Sequence, residues 1–111
     1  MVELHPVLGM LDDQGKHLKY PYFPCEEAVE SEESGSYAGA EHGPMKCYQW
    51  SHSMGEIVTA LIDRGLLLVY LHEFPYSTQN CYPFLVEAAP GRYVVQDYPG
   101  LLPLMFSIRA T

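Results

Sequence analysis

Basic residues are scarce: six Lys and Arg stand against fourteen Asp and Glu, a formal net charge of −8. Nucleic-acid affinity comes largely from basic side chains displacing counterions, and anionic membrane surfaces attract the same groups. Both partners are therefore disfavoured, and a neutral, cationic or apolar one is expected. Cysteine is sparse too. Cys25, Cys47 and Cys81 are far apart and form no C-x-x-C pair, which suits reduced thiols in the cytoplasm and not a disulfide framework. No apolar stretch approaches the roughly 20 residues that cross a bilayer. The opening MVELHPVLGM lacks the basic-then-apolar order of a signal peptide. G-x-S-x-G and G-x-G-x-x-G are also missing, which removes a nucleophile elbow and a dinucleotide turn.

What remains suits one domain spanning residues 1–111. Hydrophobic residues make up 48% of the chain, and a chain this long buries roughly two thirds of its unfolded surface. MVELHPVLGML alternates apolar positions and predicts a short strand ending near His5-Pro6. Asp12-Asp13-Gln14-Gly15 predicts a turn. KYPYF is interrupted by Pro21 and followed by Pro24, which confines it to a sheet edge or a loop. Residues 25–44 carry five Glu within positions 26–33, followed by Gly35, Gly39 and Gly43. This stretch is expected to be a solvated, mobile acidic loop; a Ca²⁺ loop would need alternating Asp, Asn and Gly ligands.

The sharpest pattern is YQWSHSMGEIVTALIDRGLLLVYLHEFPY, residues 48–76. Ser53 and Glu56 have capping-box spacing, and Gly65 is a natural stop. Met54, Ile57, Val58, Leu61 and Ile62 share a helical face, so the spacing predicts a helix over about 54–64. Leu66 to Phe74 is almost unbroken in its apolarity, as expected of a strand buried on both faces of an α/β sheet. Pro75 ends it, a long loop follows to residue 92, Arg92–Gln96 predicts a short strand and Leu102–Ala110 the last one. The fold class expected is an α/β layer with one sheet face lightly covered.

Candidate chemistry is thin. Five histidines and three cysteines lack the close, paired spacing of a zinc site; the nearest is Cys47-x4-His52. H-S-M-G-E is not the zinc-binding H-E-x-x-H, and Glu56 has a sufficient role as the capping partner of Ser53. His52, just before the helix, suits either a loop hydrogen bond or a reactive role. Aromatic–proline pairs at Tyr20, Phe23, Phe74, Tyr82 and Tyr98 suit stiff packed loops or an apolar pocket edged with hydroxyls.

The 48–76 run, with HPVLGMLDD and YPYF before it and LPLMFSIRAT after it, resembles the C-terminal part of bacterial class I S-adenosylmethionine-dependent methyltransferases. In that family a tyrosine–tryptophan–histidine stretch opens the helix before the sixth strand, an E-F/Y-P-Y turn ends that strand, and P-L-M-F-S closes the last one. The resemblance implies a partial Rossmann-like methyltransferase sheet: the last three strands, one main helix, and a long strand-rich or irregular insertion. Met1–Leu4 would be the fifth strand. The donor's glycine-rich turn and ribose-binding acidic residue are implied to lie before it, so S-adenosylmethionine has no site in this chain. Carried over, His5, Tyr22, Trp50, His52 and Tyr76 face a small-molecule acceptor pocket, with His5 or His52 as proton acceptor. The chain is then the acceptor-side portion of the enzyme, inactive alone. Its rivals are a split-enzyme subunit with a donor-binding partner chain, and a binding or structural module that has lost catalysis. A bared fifth-strand edge predicts self-association as a two-fold homodimer.

Overall fold

In the computed structural model, which describes residues 1–33 and 43–111, the amino-terminal alternation extends as strand β1, Val2–Leu4. Pro6 then starts a 3-10 helix, Pro6–Met10, where its missing N–H leaves no bond unmade. The expected turn follows. Asp12 Oδ1 accepts from the N–H groups of Gln14 (3.2 Å) and Lys16 (3.0 Å), and the Gly15 N–H donates to the Asp12 carbonyl. Gly15 adopts φ +67°, and an added Cβ would lie 2.5 Å from the Phe84 ring. Only glycine fits there.

Strands β2, Val29–Glu33, and β3, Met45–Gln49, form an antiparallel hairpin. Part of the acidic run expected as a loop is thus a strand, with Lys46 Nζ 3.2 Å from Glu30 Oε1; positions 34–42 lie outside the described residues. Helix α1, Met54–Asp63, starts and stops where the sequence places it. The Ser53 hydroxyl accepts from the Glu56 N–H at 3.2 Å, and Gly65 leaves the helix at φ +78°. Strand β4, Leu68–Phe74, follows, then β5, Leu85–Ala89, which the sequence did not reveal. It pairs with β6, Arg92–Val95, and β7, Met105–Ala110, closes the chain.

The architecture corrects the expected α/β fold. The described residues form three small antiparallel sheets, ordered β1-β7-β4, β2-β3 and β5-β6, with a single α-helix, and not a Rossmann-like layer. The final strand β7 lies between β1 and β4 and runs against both. Leu66–Phe74 is therefore not an internal strand. It ends the sheet as an edge, with Val69 and Tyr70 exposed and no residue of α1 fully buried. A short apolar run reports hydrophobicity but not the number of layers that cover it.

The core sits elsewhere. Leu8 from the 3-10 helix, Phe84 just before β5, Leu85 at its start, Val95 from β6 and Leu104 before β7 form one buried cluster. Phe106 and Ile108 of β7 are also buried. Ser77, fully buried, exchanges two 2.8 Å backbone bonds with Tyr93 and donates its hydroxyl to the Gln79 carbonyl. It ties the end of β4 to β6.

Candidate functional site

β1 and β4 point the same way because each runs against β7, so their carboxyl ends lie on one side of the sheet. His5 follows β1 directly and is 5% exposed. Its N–H donates to the Leu104 carbonyl at 2.9 Å, and its Nδ1 accepts from the Val7 N–H at 3.1 Å, capping the 3-10 helix. That bond leaves the ring proton on Nε2, which donates to Glu73 Oε1 at 2.9 Å. The ring meets Phe106 edge-on, 6.2 Å between centroids. Both nitrogens are committed. His5 joins two strand ends across β7 and offers no lone pair to a substrate, so of the two histidines considered as proton acceptors it is the one the geometry disfavours.

Tyr22 and His52 meet at the other candidate locus, the start of α1. The Tyr22 hydroxyl accepts from the Met54 N–H at 2.9 Å, a capping role beside that of Ser53. His52 Nδ1 lies 2.9 Å from Glu56 Oε2. The reciprocal half of the capping box is therefore replaced by a carboxylate–imidazole pair. With Nδ1 donating to Glu56, the lone pair of neutral His52 is on Nε2. An open depression of about 380 Å³ adjoins this pair, lined by His52, Glu56, Ile57, Ala60 and Leu61. It has an apolar floor and one polar rim.

The remaining two residues stand apart. Trp50, just beyond β3, is 57% exposed. Tyr76, past the end of β4, packs against Phe74 at 5.7 Å, and the Arg92 guanidinium lies 4.4 Å over its ring. Tyr22 and His52 thus share the helix start, while His5 and Tyr76 belong to the strand ends. A second depression, about 440 Å³, is lined by Asp13, Gln14, Lys16, Phe84, Gln96 and Asp97 among others and contains none of the five.

Two structural partners were out of reach from the sequence. Glu73 meets His5 across 68 positions, which no local spacing signals. Ser77 carries no motif. The His52–Glu56 pair, by contrast, was visible as an i, i+4 spacing. No activated nucleophile emerges among the groups whose acidity is shifted. Burial pushes the Cys81 thiol and the Tyr82 phenol up, and a hydrogen bond to Glu87 does the same for Tyr93. All three stay protonated at neutral pH.

No family model matches this chain, and no curated protein or solved structure shows significant similarity to it. No helix among the described residues is long and apolar enough to cross a membrane.

Proposed function

We propose that this chain is the acceptor-side portion of an S-adenosylmethionine-dependent methyltransferase-like protein, and that transfer requires a donor-binding body outside these residues. The observation that supports the reading is the pair of strand ends joined by His5 and Glu73. In open α/β sheets ligands lie beyond the carboxyl ends of the parallel strands; here β1 and β4 share one sense, with β7 running against both between them. Tyr76 stands at this end as well. The start of α1 adds Tyr22 and His52 beside an apolar floor.

The described residues do not fit the donor itself. The junction from β3 into α1 is Trp50-Ser51-His52-Ser53 and has no glycine turn. Among the described residues the one tightly enclosed glycine, Gly15, faces the Phe84 ring and leaves no room for a ribose or phosphate. The chemistry assigned to this chain is therefore limited to the acceptor. Ile57, Ala60 and Leu61 seat its apolar body, and His52 Nε2 takes the proton of its hydroxyl or amine. The three free thiols and the acidic surface support a cytoplasmic setting without nucleic acid or membrane.

Calorimetric titration of the isolated chain with S-adenosylmethionine is expected to show no tight binding. The coding DNA beside this chain is expected to carry a G-x-G-x-G strand–turn–helix. The two parts together should transfer a labelled methyl group, and His52→Gln should slow that transfer by about a hundredfold. A neighbouring sequence without that element, or a joined protein that transfers nothing, would overturn the reading in favour of a binding module.

A further inference from the structure

β4 is bonded along one side to β7, and no strand among the described residues pairs with its other side. Natural sheets guard such edges with shortness, lysine, proline or bulges, because the unpaired N–H and C=O groups are a template for another strand. β1 is guarded by its length of three residues. β4 has seven, and between Leu68 and Phe74 it carries no Lys, Arg or Pro. Its one bulge lies at the start, between Leu68 and Tyr70, so Tyr70–Phe74 runs in regular register.

The side chains along this edge form a row. Tyr70 and His72 stack with centroids 4.6 Å apart and planes 6° from parallel, and Phe74 follows His72 edge-on at 6.5 Å. Alternate residues of a strand share a face, so the three rings line one side of the edge. Val69 and Leu67 add exposed apolar surface, Leu67 at 71%. On a chain of net charge −8 this edge carries one charged side chain, Glu73, and that carboxylate is already turned to His5.

The geometry points to a second copy of this chain as the occupant, its β4 added antiparallel to this one about a two-fold axis at Leu71. The strand is self-complementary in that register. Tyr70 lies opposite the partner's His72, and His72 opposite the partner's Tyr70, so each aromatic pair is repeated by symmetry. Glu73 lies opposite the partner's Val69, which keeps like charges apart. Moving the axis to His72 would set His72 against itself and Tyr70 opposite the partner's Phe74, and so break the Tyr70–His72 pairing. The two three-stranded sheets become one of six strands about the two-fold axis, with a β1 at either end. Because each copy carries −8, salt should tighten the dimer by screening the repulsion outside the contact. This inference does not depend on the methyltransferase reading.

Sedimentation equilibrium of the full chain at about 100 µM should give a dimer, with a dissociation constant on the order of micromolar that falls as salt is raised. Tyr70→Lys with His72→Lys gathers four ammonium groups at the seam. It should weaken association by about a hundredfold or more while leaving the circular dichroism spectrum unchanged, since both side chains are exposed. In a background of Cys25→Ser, Cys47→Ser and Cys81→Ser, Leu71→Cys should cross-link to its own symmetry mate under mild oxidation, because directly opposed residues come within disulfide reach. A monomeric wild-type chain at that concentration overturns the proposal and assigns the edge to a different partner. A dimer that survives the lysine pair and does not cross-link at Leu71 overturns it equally.

Discussion

The two apolar regions of this protein behave in opposite ways. The knot around Leu8, Phe84, Leu85, Val95 and Leu104 is assembled from single residues at the ends of short elements, with loops between them. The arm of α1 and β4 contains the most continuous apolar run in the chain, yet Ile62, Leu66, Leu67, Val69 and Tyr70 remain exposed. Density of apolar residues along the chain did not decide burial. Layering did: the knot is enclosed by the 3-10 helix, the β5-β6 hairpin and the turn at Gly15, whereas among the described residues β4 has a neighbour on one side only.

The strongest way to test this contrast is to truncate one residue from each region. Leu104→Ala should cost about 2–5 kcal/mol, because the cavity it leaves has no solvent access. Leu67→Ala should stay within about 0.5 kcal/mol; urea unfolding measures both. Equal losses would mean that the arm is covered in solution, as the dimer would require at higher concentration. Gly15→Ala comes next, at about 2–3 kcal/mol, from the left-handed backbone and the Phe84 ring together. A fall in thermal midpoint of under about 2 °C would contradict the close packing of that turn.

Smaller effects separate the histidines. His5→Ala should cost about 1–3 kcal/mol by orphaning the Val7 N–H and detaching Glu73. His52→Ala should cost under about 0.5 kcal/mol, because its pair with Glu56 is exposed. The reverse order would make the strand-end junction dispensable. Ser53→Ala should remove about 1 kcal/mol of helix capping. The smallest effect is acid-dependent. Backbone bonds, chiefly from the Lys16 N–H, hold the Asp12 carboxyl below its ordinary value of 3.8. Its contribution is therefore complete above about pH 4 and is lost as pH falls through the lower folded value. Asp12→Asn should narrow the gap in thermal midpoint between about pH 6 and about pH 2.5. An unchanged acid limb would count against the turn geometry.

The site shows a similar division between local and distant information. Tyr22 and His52 fall together because a tyrosine hydroxyl reached the helix start from 32 positions away; the sequence placed them only through a family resemblance. His5 was taken as a possible proton acceptor. Its ring proved to be held at both nitrogens, one of them by Glu73, whose proximity depends on strand pairing. Strand β5 went unread because LVEAA has no alternation, and β2 because glutamate-rich segments ordinarily stay solvated.

The sequence by itself determined the features whose partners lie within about four residues: the Ser53 cap, the span of α1, the Gly65 stop and the Asp12–Gly15 turn. Tertiary structure alone decided that β7 enters between β1 and β4 and, among the described residues, that every strand pairing is antiparallel and the most apolar run ends as an exposed edge. The physical reason is range. Caps and turns are set by bonds a few residues long, while strand order and layering depend on contacts whose sequence separation carries no local signature.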